Sequence, residues 1–166
     1  AAEYNALEAV KQIIRNGADV NAKHPLNGYN ALISASEEGH TDIVLYLLNC
    51  SGIDVNAATG YGRTALYCAA LYGYEDIVQG LLGCSILKAN VKDFYDATPL
   101  ILAAKNGHHA ILLLLLERGD AELNATCFNI ETDGKPTMPE INFDGHTALF
   151  WAALGGHTKT VSALLE

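Results

Sequence analysis

The sequence predicts an all-α solenoid, built of helix-turn-helix units joined by hairpin-like loops. Three observations carry that prediction. Leu32, Leu66 and Leu100 recur every 34 residues, Gly39, Gly73 and Gly107 keep the same interval, and both series resume at Leu149 and Gly156 after a step of 49. Between leucine and glycine stand two small residues, Ala35-Ser36, Ala69-Ala70, Ala103-Ala104 or Ala152-Ala153, which let neighbouring helices approach closely. After each glycine the apolar residues fall at i, i+1, i+4 and i+5: Ile43, Val44, Leu47 and Leu48; Ile77, Val78, Leu81 and Leu82; Ile111, Leu112, Leu115 and Leu116. That spacing gives a helix one face to bury against the next unit.

Each unit opens on a cap. Thr64, Thr98 and Thr147 precede the first helix, where a hydroxyl can accept from free backbone N–H groups. Asn30 serves the same purpose in an earlier unit. Pro99 takes the first helical position, where its missing N–H costs nothing; Ala31, Ala65 and Ala148 stand there in the other units. The recurring glycines end the first helix, where a left-handed residue is wanted. Two positions look weak. Gly80 falls inside a second helix and should cost it ~1 kcal/mol relative to Ala. The last second helix, with Thr160, Val161, Leu164 and Leu165, loses its apolar stripe at Thr160.

Thr98-Pro99-Leu100, followed in phase by Ala103-Ala104 and Gly107-His108, resembles the ankyrin repeat, whose period is near 33 residues. The resemblance implies an ankyrin-repeat solenoid along the chain, as a single domain. Residues 1–22 are expected to be a partial repeat, 23–57, 58–91 and 92–125 full repeats, 126–140 an insertion loop and 141–166 a truncated last repeat. Ala1-Ala2 would hold the small-pair position of a first helix, with Leu7 to Ile14 as the second. The chain reads as a piece of a longer protein, or as one with further terminal residues, because repeat arrays need polar terminal caps.

The insertion follows from the step of 49 in place of 34, which leaves 15 extra residues. Asp133-Gly134 reads as a turn, and Pro136 and Pro139 oppose helix. Counting back from Leu149 sets Phe143 in the repeat position of Phe94. Insertions in such arrays map to loops on one face, often the binding face, though a loop also accepts length cheaply without a role.

In ankyrin proteins the loop tips and the exposed side of the first helices form a concave binding surface. Carried over by position, the resemblance names Tyr4, Tyr29, Glu37, Glu38, Tyr61, Arg63, Leu71, Tyr72, Phe94, Tyr95, Lys105, Asn106, Phe143, Asp144 and His146 as partner-binding candidates. The set is rich in rings, and exposed aromatic side chains are typical interface anchors. The expected function is non-catalytic recognition of a protein or peptide, with Arg63, Lys105, Asp144 and the Glu37-Glu38 pair setting orientation. A second reading makes the segment the regulatory or targeting part of a larger enzyme, packed against another domain. A rival surface is an apolar patch at Leu45, Leu113 and Leu114 on second helices. Oligomeric state is open.

Composition narrows the field. A net charge of −9 argues against a nucleic-acid partner, which needs basic patches. No apolar run approaches the ~20 residues that cross a bilayer, so no membrane insertion is expected. Cys50, Cys68, Cys84 and Cys127 form no CxxC and no zinc spacing with histidine. They read as reduced thiols, which favours the cytoplasm, with the nucleus as the other reducing compartment. His40, His108 and His157 follow the glycine and should orient neighbouring backbone; Tyr74 replaces them once. His24 and His146 read as surface residues. Trp151 reads as core. No phosphate loop, HExxH or nucleophile–base set appears, so neither enzymatic activity nor a cofactor or metal is expected. Asn21 and Asn56 lie in Val-Asn-Ala contexts similar to those modified by an asparaginyl hydroxylase in some family members; elsewhere such an Asn steadies its turn.

Overall fold

A computed structural model describes residues 2–128 and 145–166, with the side chains of residues 2–5 outside the description. The described residues form α1 (Ala2–Arg15), α2 (Ala31–Glu37), α3 (Thr41–Leu48), α4 (Ala65–Tyr72), α5 (Glu75–Leu82), α6 (Pro99–Asn106), α7 (His109–Glu117), α8 (Ala148–Leu154) and α9 (Thr158–Leu165). The first helices α2, α4, α6 and α8 pack successively into an inner layer, and α1, α3, α5, α7 and α9 stack behind them. The fold is the all-α repeat solenoid that the periodicity predicts.

The caps form as the sequence expects. The Asn30 side chain accepts from Ile33 N at 2.9 Å, and Thr64, Thr98 and Thr147 accept from Tyr67 N, Ile101 N and Phe150 N at 3.2, 3.3 and 3.4 Å. Each inner helix is followed within two residues by a glycine, Gly39, Gly73, Gly107 or Gly156, with φ of 70° to 84°. The residue after that glycine then locks two units together. His108 Nε2 lies 3.2 Å from Leu71 O, and His157 Nε2 lies 2.9 Å from Lys105 O. A Cβ on Gly73 or Gly107 would meet those imidazoles at 2.7 and 2.6 Å, and one on Gly39 would meet the Tyr74 ring at 2.7 Å. The glycine is therefore required twice, for its left-handed backbone and for the ring that closes over it.

The core lies between the layers. Leu32, Leu66, Leu100, Leu47, Leu81 and Leu115 are all within 2% of full burial, each worth ~1.5–3 kcal/mol. Thr160 is buried at 1% exposure, so the last unit keeps its inward position despite the hydroxyl. The closing loops are stitched by asparagines. Asn21 donates to Gly52 O and accepts from Asp54 N; Asn56 does so with Ile86 O and Lys88 N, and Asn90 with Asp120 O and Glu122 N. Asn21 and Asn56 thus spend both ends of the amide on the next unit's backbone.

Two expectations change. α1 runs unbroken from Ala2 to Arg15, where a first helix, a turn and a second helix from Leu7 were expected. Asn5 and Ala6 stand there in place of Gly and His, so nothing stops the helix. Gly80 is no mere weakness: a Cβ on it would lie 2.7 Å from Leu45 Cδ2. The missing side chain makes room for a leucine of the preceding unit.

Candidate partner-binding face

Before each inner helix the chain makes a hairpin stem. Thr59 N donates to Arg63 O at 3.0 Å, Asp93 N to Ala97 O at 3.1 Å and Cys127 N to His146 O at 3.2 Å. The tip residue before the return strand is left-handed in every hairpin: Gly28, Gly62, Asp96 at φ 59° and Gly145. Asp96 tolerates the conformation because Asp93 Oδ1 accepts from Tyr95 N and Ala97 N, both at 2.9 Å, and fixes the turn. Successive hairpins are tied to each other as well. Gly60 N donates to Asn27 O, Phe94 N to Tyr61 O and Phe128 N to Tyr95 O, at 3.1, 2.8 and 2.8 Å. Aromatic side chains therefore stand on a backbone ladder. Tyr61, Phe94 and Phe128 are 62%, 74% and 49% exposed.

Behind the tips lie two seams of the inner layer. In the earlier one, Tyr67 OH donates to Asp93 Oδ2 at 2.8 Å, and the Arg63 guanidinium sits 5.6 Å over the Tyr67 ring. Tyr29 OH donates to Glu37 Oε1 at 3.2 Å. Burial, then the bond to Asp93, pushes the Tyr67 phenol well above its usual value; burial, then the Glu37 charge, raises Tyr29. Burial pushes the Cys68 thiol up to about 12. Arg63 is half-buried, its Nε is enclosed without an acceptor, and its guanidinium makes no hydrogen bond or ion pair with the described residues. In the later seam Trp151 Nε1 donates to Cys127 Sγ at 3.2 Å, Lys105 Nζ lies 5.1 Å over the Trp151 ring, and His146 stacks on Phe150 with centroids 3.6 Å apart. Burial raises the Cys127 thiol, opposed by the Trp151 bond.

The sequence candidates divide accordingly. Tyr61, Phe94, Tyr72 and Glu38 are exposed; Tyr29, Glu37, Arg63, Tyr95 and Lys105 are half-buried in or beside the seams. Phe94 and Tyr95 meet edge to face at 5.5 Å. Leu71 packs on the core. Asn106 is exposed, but its amide donates to Leu71 O and Leu102 O. His146 is half-buried under Phe150 rather than a surface residue, because the stem draws it inward. Tyr4, Phe143 and Asp144 lie outside the described side chains.

A family model described as ankyrin repeats, three copies, matches residues 1–93 and 83–166, which together span the chain. The chain belongs to the ankyrin-repeat family. Ankyrin repeats are generally protein–protein interaction modules and typically non-catalytic. No curated protein matches the sequence significantly.

The ankyrin frame also relocates the insertion. Gly145 N donates to Cys127 O at 3.1 Å, as Gly62 N does to Thr59 O and Asp96 N to Asp93 O at 3.0 Å. Thr126, Cys127 and Phe128 thus belong to the regular hairpin, and residues 129–144 stand where other ankyrin hairpins hold one residue, Tyr61 or Tyr95. The rest of the expected insertion, 129–140, lies outside the described residues. Phe128 takes the place of Phe94. Sequence counting missed Phe128 because it measured back from Leu149; a step of 34 forward from Phe94 finds it.

The rival outer surface is smaller than expected. Leu45 is 40% exposed and fits over Gly80, Leu113 is 38% exposed, and Leu114 packs on the core. Clefts of about 250 Å³ at Ala6, Gly39 and His40, and 490 Å³ at Ile14, Val20 and Cys50, lie at the first unit junction, away from the aromatic tips. Among the described residues no group of three or more His, Cys, Asp or Glu is placed to hold a metal, and no helix is long and apolar enough to cross a membrane.

Proposed function

We propose that this ankyrin array recognises a protein or peptide on the face formed by its hairpin tips and inner helices, with Tyr61, Phe94 and Phe128 as anchors at the tips and Tyr72 at the far end of α4. The observation that carries the reading is the exposure of these rings on consecutive hairpins whose backbones are bonded to one another. Exposed aromatic rings carried on a hydrogen-bonded backbone offer contact area at reduced ordering cost to a partner. Arg63, Lys105, Glu37 and Glu38 supply charge around the rings and give a partner its orientation. Asn106 and Leu71 serve the scaffold beneath.

The test is affinity capture with the wild-type chain and a Tyr61→Ala/Phe94→Ala variant. Both side chains project outward, so the variant should melt within a few degrees of wild type. Proteins recovered by wild type and lost from the variant support the reading. Identical recovery by both, at matched melting temperature, overturns it.

A further inference from the structure

We propose that the seam at Arg63 takes an Asp or Glu side chain of a bound peptide in a two-pronged, hydrogen-bonded ion pair. The inference rests on the reading that the aromatic face binds a peptide, and adds the partner's chemistry.

The guanidinium offers five donors in a planar fork, and none meets an acceptor among the described residues. The two carboxylates of this seam take their hydrogen bonds from other donors, although the Asp93 charge still acts on Arg63. Asp93 accepts from Tyr67 OH, Tyr95 N and Ala97 N, and Glu37 accepts from Tyr29 OH. Nε alone is shut off from water; the two terminal amino groups remain reachable, and a carboxylate of matching geometry can exchange their water for a two-pronged, charge-assisted pair.

The fork is also held in place beforehand. Arg63 N donates to Thr59 Oγ1 at 3.2 Å and its carbonyl accepts from Thr59 N, so the hairpin stem fixes its backbone. The Tyr67 ring lies beneath the guanidinium and is itself pinned by Asp93. Tyr61, two residues away, and Phe94, bonded to it through the backbone, are exposed for the apolar neighbours of the acidic residue. A lysine at this position would keep the charge and lose the fork. The chain's net charge of −9 repels an acidic peptide at long range, so the selection is local and is best read at ~0.15 M salt, where exposed charges more than about 8 Å apart are largely screened.

The experiment uses immobilised pools of short peptides, random except for one fixed central residue: Glu, Gln or Lys. Wild type should retain the Glu pool about tenfold over the Gln pool, in the range of a charge-assisted Arg fork. Arg63→Met should bind both pools equally. Arg63→Glu should move the preference to the Lys pool, which a merely structural arginine would not do. Arg63→Lys, the variant least disturbing to the fold, should keep only part of the Glu preference. Equal retention of Glu and Gln pools by wild type overturns this proposal and leaves the aromatic face standing. A Glu preference that survives in Arg63→Met also overturns it. Retention of no pool by wild type also overturns this proposal, and leaves the aromatic face to the capture experiment.

Discussion

At the seam around Tyr67 the inner layer is held by hydrogen bonds, whereas at the seam around Trp151 it is held by rings. Tyr67, Asp93, Tyr29 and Glu37 form directed donor–acceptor pairs, each satisfied at one geometry. Trp151, Phe150 and His146 pack as stacked and edge-on rings under Lys105. Residues 68 and 151 hold equivalent places in their helices, and both are buried, yet one is Cys and the other Trp. The repeat frame fixes where a side chain goes in, and the volume it must fill is set by the neighbouring hairpin. The earlier seam spends its space on a polar network that leaves a cation unmatched at the surface. The later seam spends it on apolar area.

If that contrast is right, the later seam should be the more sensitive to truncation. Trp151→Ala should cost ~3–5 kcal/mol, and Trp151→Phe, which keeps a ring and loses the bond to Cys127 Sγ, much less. Tyr67→Phe should cost ~1–2 kcal/mol, because Asp93 Oδ2 is left buried without its donor. Urea unfolding of the three variants decides it; a Tyr67→Phe cost equal to that of Trp151→Ala would erase the distinction.

Both seams hold a thiol raised by burial, and the earlier one, where no hydrogen bond opposes the rise, should feel alkali more strongly. The Cys68 thiol is raised from 9.0 to about 12, mainly by burial. Below pH 9 folded and unfolded chains both hold the proton and stability is unaffected. From pH 9 to about 12 the unfolded thiol ionises first, so stability falls as pH rises. Melting temperature followed across that range should drop more in wild type than in Cys68→Ala; parallel curves would remove burial at Cys68 as a cause.

The smallest effect is expected on the outer side of the earlier seam. Gly80→Ala should gain ~1 kcal/mol of helix propensity and lose most of it by displacing Leu45, whose Cδ2 occupies the space. In a Leu45→Ala background the same change should show its full gain. A double-mutant cycle measures the difference, and additivity would deny the contact.

The frame was legible because its parts are local. A threonine cap, a small pair, a glycine and an apolar stripe each act within one helix, so their spacing alone marks the fold. What escaped depends on neighbours. Gly80 reads as a defect until Leu45 is seen to fill it. Tyr29 and Glu37 were named for a partner, and they meet each other eight residues apart, across a hairpin and a helix. Phe128 was lost because a gap in the period has no address in the sequence; the bonds from Phe128 N to Tyr95 O and Gly145 N to Cys127 O supply it. α1 shows the reverse error: the period predicted a turn where Asn5 and Ala6 offer no means to make one.

The stem joining Cys127 to His146 is the same whether it encloses three residues, as between Thr59 and Arg63, or eighteen. Chain added there lengthens a closed loop, and the entropy of closure grows only with the logarithm of length. Length is therefore cheap at this position: residues added between the two posts leave the stem, and the phase of every later helix, as they are.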